Sequence, residues 1–294
     1  MSLYKLSKWI YEQRYLHRSI RETFAKIITP GFREGYSFRT DFFEMLWLGK
    51  TNNYVDYQVL LRGAYEKFML FFMRDALDSI GQDKVVLDIG ANIGNHALFL
   101  TQYASIVHAF ENYQPAKESL EEKMLVNNIG NIVIHPIGLS DRKESIPFYP
   151  QDVDSISTGS FEKGFCGSEE NAIILNVDIG DDVMKNENIT GIDLIKIDVE
   201  GFEIQVLKGL ANTMRENRPL VIFETLPATR ESSETDFEKM KALFPDKYSF
   251  YIFSRRDKKR GKYRLARIQS TASLSSNDII ACPDEKAAAL FKQN

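Results

Sequence analysis

From Lys84 onward, short apolar runs alternate with longer segments whose apolar residues recur at helical spacing. The runs fall near 84–89, 105–111, 131–135, 192–198 and 219–225. Each is brief and almost continuously apolar, the pattern of a strand covered on both faces. Amphipathic segments near 94–103, 115–127, 201–216 and 233–244 separate them. This alternation predicts βαβ units and a mostly parallel sheet, the α/β class. After Lys247, the segments Tyr248–Ser254, Lys262–Ile268 and Asn277–Cys282 predict strands of a closing hairpin region.

The pattern breaks between Arg142 and Asn171, where Ser155-Ile-Ser-Thr-Gly-Ser160 and Gly164-Phe-Cys-Gly-Ser168 are polar and rich in Gly and Ser. Long insertions of this kind are usually functional or mobile. We read a strand and a flexible loop near the substrate. Toward the N-terminus, Leu3, Leu6, Ile10, His17, Ile20, Phe24 and Ile27 recur at helical spacing until Pro30-Gly31 stops them. A second helix is predicted over 56–80, with Gly81 as its stop. The expected division is a helical cap over 1–80 and a ligand-binding α/β domain over 81–294.

Composition supports a globular protein: 294 residues, 44% hydrophobic, suffice for one large core. The longest apolar run, Phe68–Met73, is far short of the ~18 residues that span a bilayer. Lys5, Lys8, Glu12 and Arg14 interrupt any signal-peptide core, and Cys166 and Cys282 make no disulfide framework. A cytoplasmic location is the expectation. The net charge of −4 hides an asymmetry. Residues 1–40 hold eight Lys/Arg against three acids, and 254–267 hold eight against Asp257 alone. Basic edges on an acidic body point to an anionic acceptor or to contact at the inner membrane surface. A solvated hairpin and helix face are the competing explanation. For the N-terminal segment, packing on the core, a homodimer contact and a membrane surface all remain open. No nucleic-acid partner is expected.

The candidate chemistry begins at Val85-Val-Leu-Asp-Ile-Gly-Ala-Asn-Ile-Gly-Asn95, a buried strand turning sharply into a helix. A dinucleotide turn needs G-x-G-x-x-G, and here only Gly90 fits, because Asn92 and Asn95 occupy the other glycine positions. A P-loop lysine is absent, and no Lys or Arg lies between Val85 and Tyr103 to meet a pyrophosphate. Asp88 instead favours a ligand with a positive amino group. The alternative is that Asp88 caps the turn and the glycines serve packing. Glu111 ends the next strand 21 residues after Gly90, the spacing of a carboxylate that bonds ribose hydroxyls. Ribose without phosphate leaves S-adenosylmethionine as the simplest ligand.

Three segments carry a resemblance to a known family: Asp88-Ile-Gly-Ala-Asn-Ile-Gly94, Ala109-Phe-Glu111, and Ile195-Lys-Ile-Asp-Val-Glu-Gly-Phe-Glu203. Over about 65–225 the chain resembles the FkbM-type S-adenosylmethionine-dependent methyltransferases. The resemblance implies the class I methyltransferase fold: a Rossmann-like, mostly parallel seven-stranded sheet with helices on both faces and one antiparallel edge hairpin. It also implies O-methylation, often of sugar hydroxyls in polysaccharides, glycolipids or natural products.

On this reading Asp88 and the loop Gly90, Ala91, Asn92 and Gly94, with Asn95 behind it, would hold the methionine end. Glu111, with Asn112 beside it, would hold the ribose. Ser140 and Asp141 follow the third strand, where related folds meet the adenine amino group. Tyr65-Glu66 resembles the family's Tyr-Glu pair, Glu66 counting as a further cofactor contact and helix surface as the alternative. Lys196 and Asp198 share one face of their strand, and a lysine among apolar neighbours must be paired or neutral. The pair either fixes the strand end or orients a substrate hydroxyl, and Asp198 also faces the cofactor. Asp198, Glu200 and Glu224 are candidate bases, with Lys196 in the same cluster; His135 and His96 are weaker ones. Clustered acids can bind Mg²⁺, but no metal is expected. Two other classes stay open: a nicotinamide-dependent oxidoreductase, and a non-catalytic binding protein that keeps the fold.

Overall fold

The computed structural model describes residues 35–152, 155–161, 172–224, 234–257, 259–268 and 278–290, with positions 6, 9, 10 and 24 before them. Two strands, β1 (Ser37–Phe42) and β2 (Met45–Lys50), precede the helices α1 (Tyr54–Arg62) and α2 (Lys67–Asp78). The α/β core follows: β3 (Val85–Ile89), α3 (Asn95–Leu100), β4 (Ile106–Phe110), α4 (Gln114–Val126), β5 (Ile132–His135) and β6 (Gly138–Ser140). Next come β7 (Glu144–Asp152), β8 (Ser155–Ser160), β9 (Ile173–Ile179), α5 (Gly180–Asn186), β10 (Ile192–Ile197), α6 (Glu203–Gly209) and α7 (Ala211–Asn217). The last elements are β11 (Leu220–Glu224), α8 (Glu234–Lys241), β12 (Tyr248–Arg256), β13 (Tyr263–Arg267), β14 (Asp278–Pro283) and α9 (Asp284–Leu290).

The main sheet runs β13-β12-β14-β11-β10-β3-β4-β5. Strands β5, β4, β3, β10 and β11 pair in parallel. β14 enters antiparallel between β11 and β12. This is the class I methyltransferase order, with helices on both faces. The expected seven strands are eight, because β13 pairs antiparallel on β12 and extends the edge. One core packs β1, β2 and α1–α4 on the first face, and a second packs α5–α8 on the other.

Two expectations need correction. The N-terminal region is not all helical. Phe38, Phe42 and Trp47 alternate inward along a β1–β2 hairpin, and the predicted helix over 56–80 is two helices. The hairpin turn uses Phe43 and Glu44 at positive φ, a conformation normally announced by Asn-Gly. α1 stops at left-handed Gly63, whose N–H bonds the Val59 carbonyl, and α2 ends at Asp78 rather than at Gly81. These elements share the first core with β3 and β4. The helix predicted over 2–28 lies outside the described residues apart from four positions. The second correction concerns 142–171: β7, β8 and β9 join β6 in a separate four-stranded sheet, where one strand and a loop were expected. Residues 162–171 lie outside the described set.

A buried polar clasp ties the hairpin to the core. Asp56 accepts hydrogen bonds from Trp47 Nε1 (2.8 Å) and the Lys50 N–H (2.9 Å). The ammonium of Lys123, on α4, lies 4.7 Å from the Trp47 ring centroid. Removing one member of a buried charged cluster strands the others. Asp56→Ala is therefore expected to lower the unfolding free energy by roughly 3 kcal/mol in denaturant titrations. A loss below roughly 1 kcal/mol would show that water replaces the carboxylate.

Candidate active site

Ligands of an open α/β sheet bind at the carboxyl ends of the parallel strands. That rim here carries two clefts. The first, an open space of about 770 Å³, is lined by Gly90, Asn92, Glu111, Asn112, Tyr113, Gly138, Leu139, Phe148, Phe161, Asp198, Glu200 and Phe202, among others. No Lys or Arg lines it among the described residues. The second, of about 730 Å³, is lined by Tyr54, Tyr65, Glu66, Met69, Lys196, Glu224 and Asp278 together with Asn92, Asp198 and Glu200. Asn92, Asp198 and Glu200 thus belong to both.

The turn after β3 is built for close approach. Gly90 has φ +80°, and a Cβ there would lie 1.9 Å from the Asp198 carbonyl oxygen. The N–H groups of Gly90 and Ala91 both bond the Phe110 carbonyl, at 3.0 and 3.1 Å. Glu111 closes the turn: its Oε2 accepts the Asn92 N–H at 2.7 Å and its Oε1 the Tyr113 N–H at 2.8 Å. Burial pushes this carboxyl up to about 7, against the pull of those two N–H groups. An aromatic chain flanks the cleft, with Tyr113, Phe148, Phe161 and Phe202 in ring contacts of 5.5, 5.1 and 5.4 Å.

At the end of β10, Lys196 donates to Asp198 Oδ2 at 2.8 Å. Lys196 is 3% exposed. Burial opposes its charge, but Asp198 and Asp88 outweigh it and hold the ammonium protonated. Asp198 is likewise held below the usual carboxylate range, Lys196 prevailing over burial. The next turn takes Glu200 to φ +52° and Gly201 to φ +108°. Glu203 secures it by accepting the N–H groups of Val199 and Gly201, both at 3.2 Å. Glu200 opens onto both clefts. Glu200 is exposed at the rim, yet partial enclosure by the cleft walls, then the charges of Asp198 and Glu224, push its carboxyl up to about 8.

Several sequence candidates lie elsewhere than expected. Asp88 is 0% exposed beneath the loop and lines neither cleft. It faces Lys196 across the β3–β10 register. Ala91 is buried. Gly94 packs on Leu120, where a Cβ would come within 2.5 Å of the side chain. Asn95 is a clamp: its side chain exchanges two 3.2 Å hydrogen bonds with the Tyr65 backbone. Ser140 is fully buried, and Asp141 contacts Arg142; Gly138 and Leu139 line the cleft in their place. The misplacement is one or two residues of strand register. Asn112 lines the first cleft and bonds the Asn176 carbonyl at 3.1 Å. Glu66, at left-handed φ, lines the second cleft rather than the first. His96 Nε2 lies 3.6 Å from Glu66, but burial and Lys196 lower its pKa to about 3, so the contact is no ion pair. His135 pairs with His108 at 3.0 Å away from both clefts.

Sequence reasoning missed Asp278, the aromatic chain and Tyr54. Asp278 opens an antiparallel strand, so its amino end reaches the rim that the parallel strands reach with their carboxyl ends. It lies opposite Glu224 in the register and 2.9 Å from Arg256. An acid at the head of an apolar antiparallel strand was the available signal. Among the described residues no group of His, Cys, Asp and Glu is arranged to hold a metal ion, and no helix is long and apolar enough to cross a membrane.

A class I methyltransferase sheet with a Gly turn, a ribose-spaced carboxylate and no cation for phosphate defines a donor site for a nucleoside without phosphates. The model of the FkbM methyltransferase domain matches residues 88–256, and the chain belongs to that family. S-adenosylmethionine is its methyl donor, and Glu111, Gly90, Asn92 and the aromatic wall fit that ligand. Hexuronic acid methyltransferase AglP from Haloferax volcanii is 29% identical over 155 residues, covering 53% of this chain and 59% of that protein. Methyltransferase 1 from Beauveria bassiana is 26% identical, covering 56% of this chain and 72% of that protein. The crystal structure of methyltransferase FkbM from Methylobacillus flagellatus KT covers 68% of this chain and 43% of its own, at 17% identity and a TM-score of 0.43.

On the expectation that Glu111 accepts the ribose hydroxyls, donor binding needs it ionised. With its pKa near 7, affinity for S-adenosylhomocysteine is expected to be full above that pH. It should fall about tenfold per unit below it. Glu111→Gln should flatten the dependence in calorimetric titrations. A wild-type affinity constant down to pH 5 would refute the assignment. Gly90→Ala should abolish binding while the fold persists by circular dichroism, because its methyl group meets the Asp198 carbonyl.

Proposed function

We propose that the protein is an S-adenosylmethionine-dependent O-methyltransferase acting on a hydroxyl of a sugar or glycan. The observation that carries this reading is the meeting of the two clefts at Asn92, Asp198 and Glu200. The first cleft takes the donor and the second the acceptor. Bound S-adenosylmethionine supplies an electrophilic methyl group at this junction. The protein's main task is then to hold the acceptor oxygen in line with it.

A sugar hydroxyl is a weak nucleophile and needs a base as its proton leaves. Glu200 is suited to this, since a carboxyl near 8 can take a proton at neutral pH and release it again. Asp198 is committed to Lys196 and stays ionised, so it accepts a hydrogen bond from the acceptor and does not take its proton. Lys196 fixes Asp198, while Glu224 and Glu66 offer further acceptors on the cleft wall. The likeness to a hexuronic acid methyltransferase supports a sugar acceptor. The nicotinamide-dependent alternative finds no cation for a pyrophosphate among the described residues of the first cleft. Calorimetric titration with S-adenosylhomocysteine and with NAD separates the two, and tight NAD binding would overturn our reading.

The base is tested by Glu200→Gln, which should reduce kcat by a factor on the order of 10²–10⁴ with the KM for S-adenosylmethionine unchanged. The wild-type rate should rise with pH and level off above about 8, and the variant should lose that limb. Retention of both rate and limb would eliminate Glu200 as the base.

A further inference from the structure

The acceptor cleft has an uneven lining. Its lining includes the acids Glu66, Asp198, Glu200, Glu224 and Asp278 and the rings of Tyr54 and Tyr65. Lys196 is the only Lys or Arg lining it among the described residues, and it is bound to Asp198 at 2.8 Å. The nearest basic side chain behind the wall, Arg256, is bound to Asp278 at 2.9 Å. The exposed bases of the β12–β13 hairpin, Arg255, Lys259, Arg260, Lys262, Arg264 and Arg267, line neither cleft. Tyr54 is 51% exposed, unusual for so large a ring, and stands edge-on to Tyr65 at 5.8 Å.

We infer that Tyr54 is a specificity-determining residue of the acceptor cleft, its ring a stacking face for an uncharged, hydroxyl-rich ring. The inference rests on the methyl-transfer reading of the same site. Hydroxyls donate to carboxylates in charge-assisted hydrogen bonds, and the C–H face of a pyranose packs on an aromatic ring. A carboxylate or phosphate on the reacting ring would meet like charge and, among the described lining residues, no unpaired cation. Any anionic part of the acceptor therefore lies outside the cleft, where the hairpin's bases are exposed. A hydroxyl also uses the Tyr65 phenol, which neighbouring Glu66 and then burial hold protonated as a donor.

The test measures binding of two matched probes to the S-adenosylhomocysteine complex: methyl glucopyranoside and methyl glucuronide. We expect the neutral glycoside to bind at least about tenfold more tightly than the glucuronide, the amino sugar being left out because the acids of the lining attract an ammonium. Tyr54→Ala should weaken binding of the neutral glycoside about tenfold and Tyr54→Phe should retain it, with S-adenosylhomocysteine affinity equal in all three proteins. Preference for the uronide, indifference to Tyr54→Ala, or no binding of the neutral glycoside overturns the inference. If S-adenosylhomocysteine itself fails to bind, the methyl-transfer reading falls first; if it binds and the glycosides do not, only the inference falls.

Discussion

A lysine buried in the middle of a parallel sheet is the constraint around which the site is arranged. Lys196 lies opposite Asp88 in the β3–β10 register and donates to Asp198 two residues on. A lone ammonium in that position would cost several kcal/mol, so both carboxylates are required for the strand to be central. Burial and then the same charge keep His96 neutral, and the charge holds Asp198 ionised. Glu200, farther along the turn, and Asp278 on the same cleft are instead raised, by burial and then by neighbouring acids. One buried cation thus separates the roles of neighbouring acids.

The backbone supports this separation. Gly90 brings the donor loop against the Asp198 carbonyl, so the tips of β3 and β10 are fixed relative to each other. Glu203 holds the turn that carries Glu200, and Asn95 holds the segment that carries Glu66. Glu203 and Asn95 line neither cleft. They hold those that do, and left-handed backbone at Asn92, Glu200 and Glu66 shows that these positions are held by their surroundings.

The sequence was most legible where one physical signal dominated. Continuous apolar runs separated by amphipathic segments predicted β3, β4, β5, β10 and β11 to within a residue or two, and Glu111, picked out by its spacing after the turn, lines the first cleft. It was least legible where tertiary contacts supplied what local chemistry lacks. The β1–β2 hairpin turns on Phe43-Glu44, which carries no turn signal, and buries Trp47 through an aspartate and a lysine distant in sequence. The β7–β9 sheet hides its alternation among Ser, Gly and Pro, so the aromatic wall of the cleft read as a loop. Asp88 was expected to touch the ligand because it precedes the turn. Strand alternation with Lys196 as its neighbour turns it inward instead. Ser140 and Asp141 missed the cleft because the chain crosses it at Gly138 and Leu139.

The reversed strand β14 has a consequence for the order in which the protein becomes functional. Every lining residue of the donor cleft lies at or before Phe202, whereas the acceptor cleft needs Asp278 from a strand that must slot between β11 and β12. During synthesis the two halves of the site are therefore completed at different times. The segment that recognises the nucleoside is finished first, and the wall that receives the acceptor is added last, when the sheet's far edge closes over it.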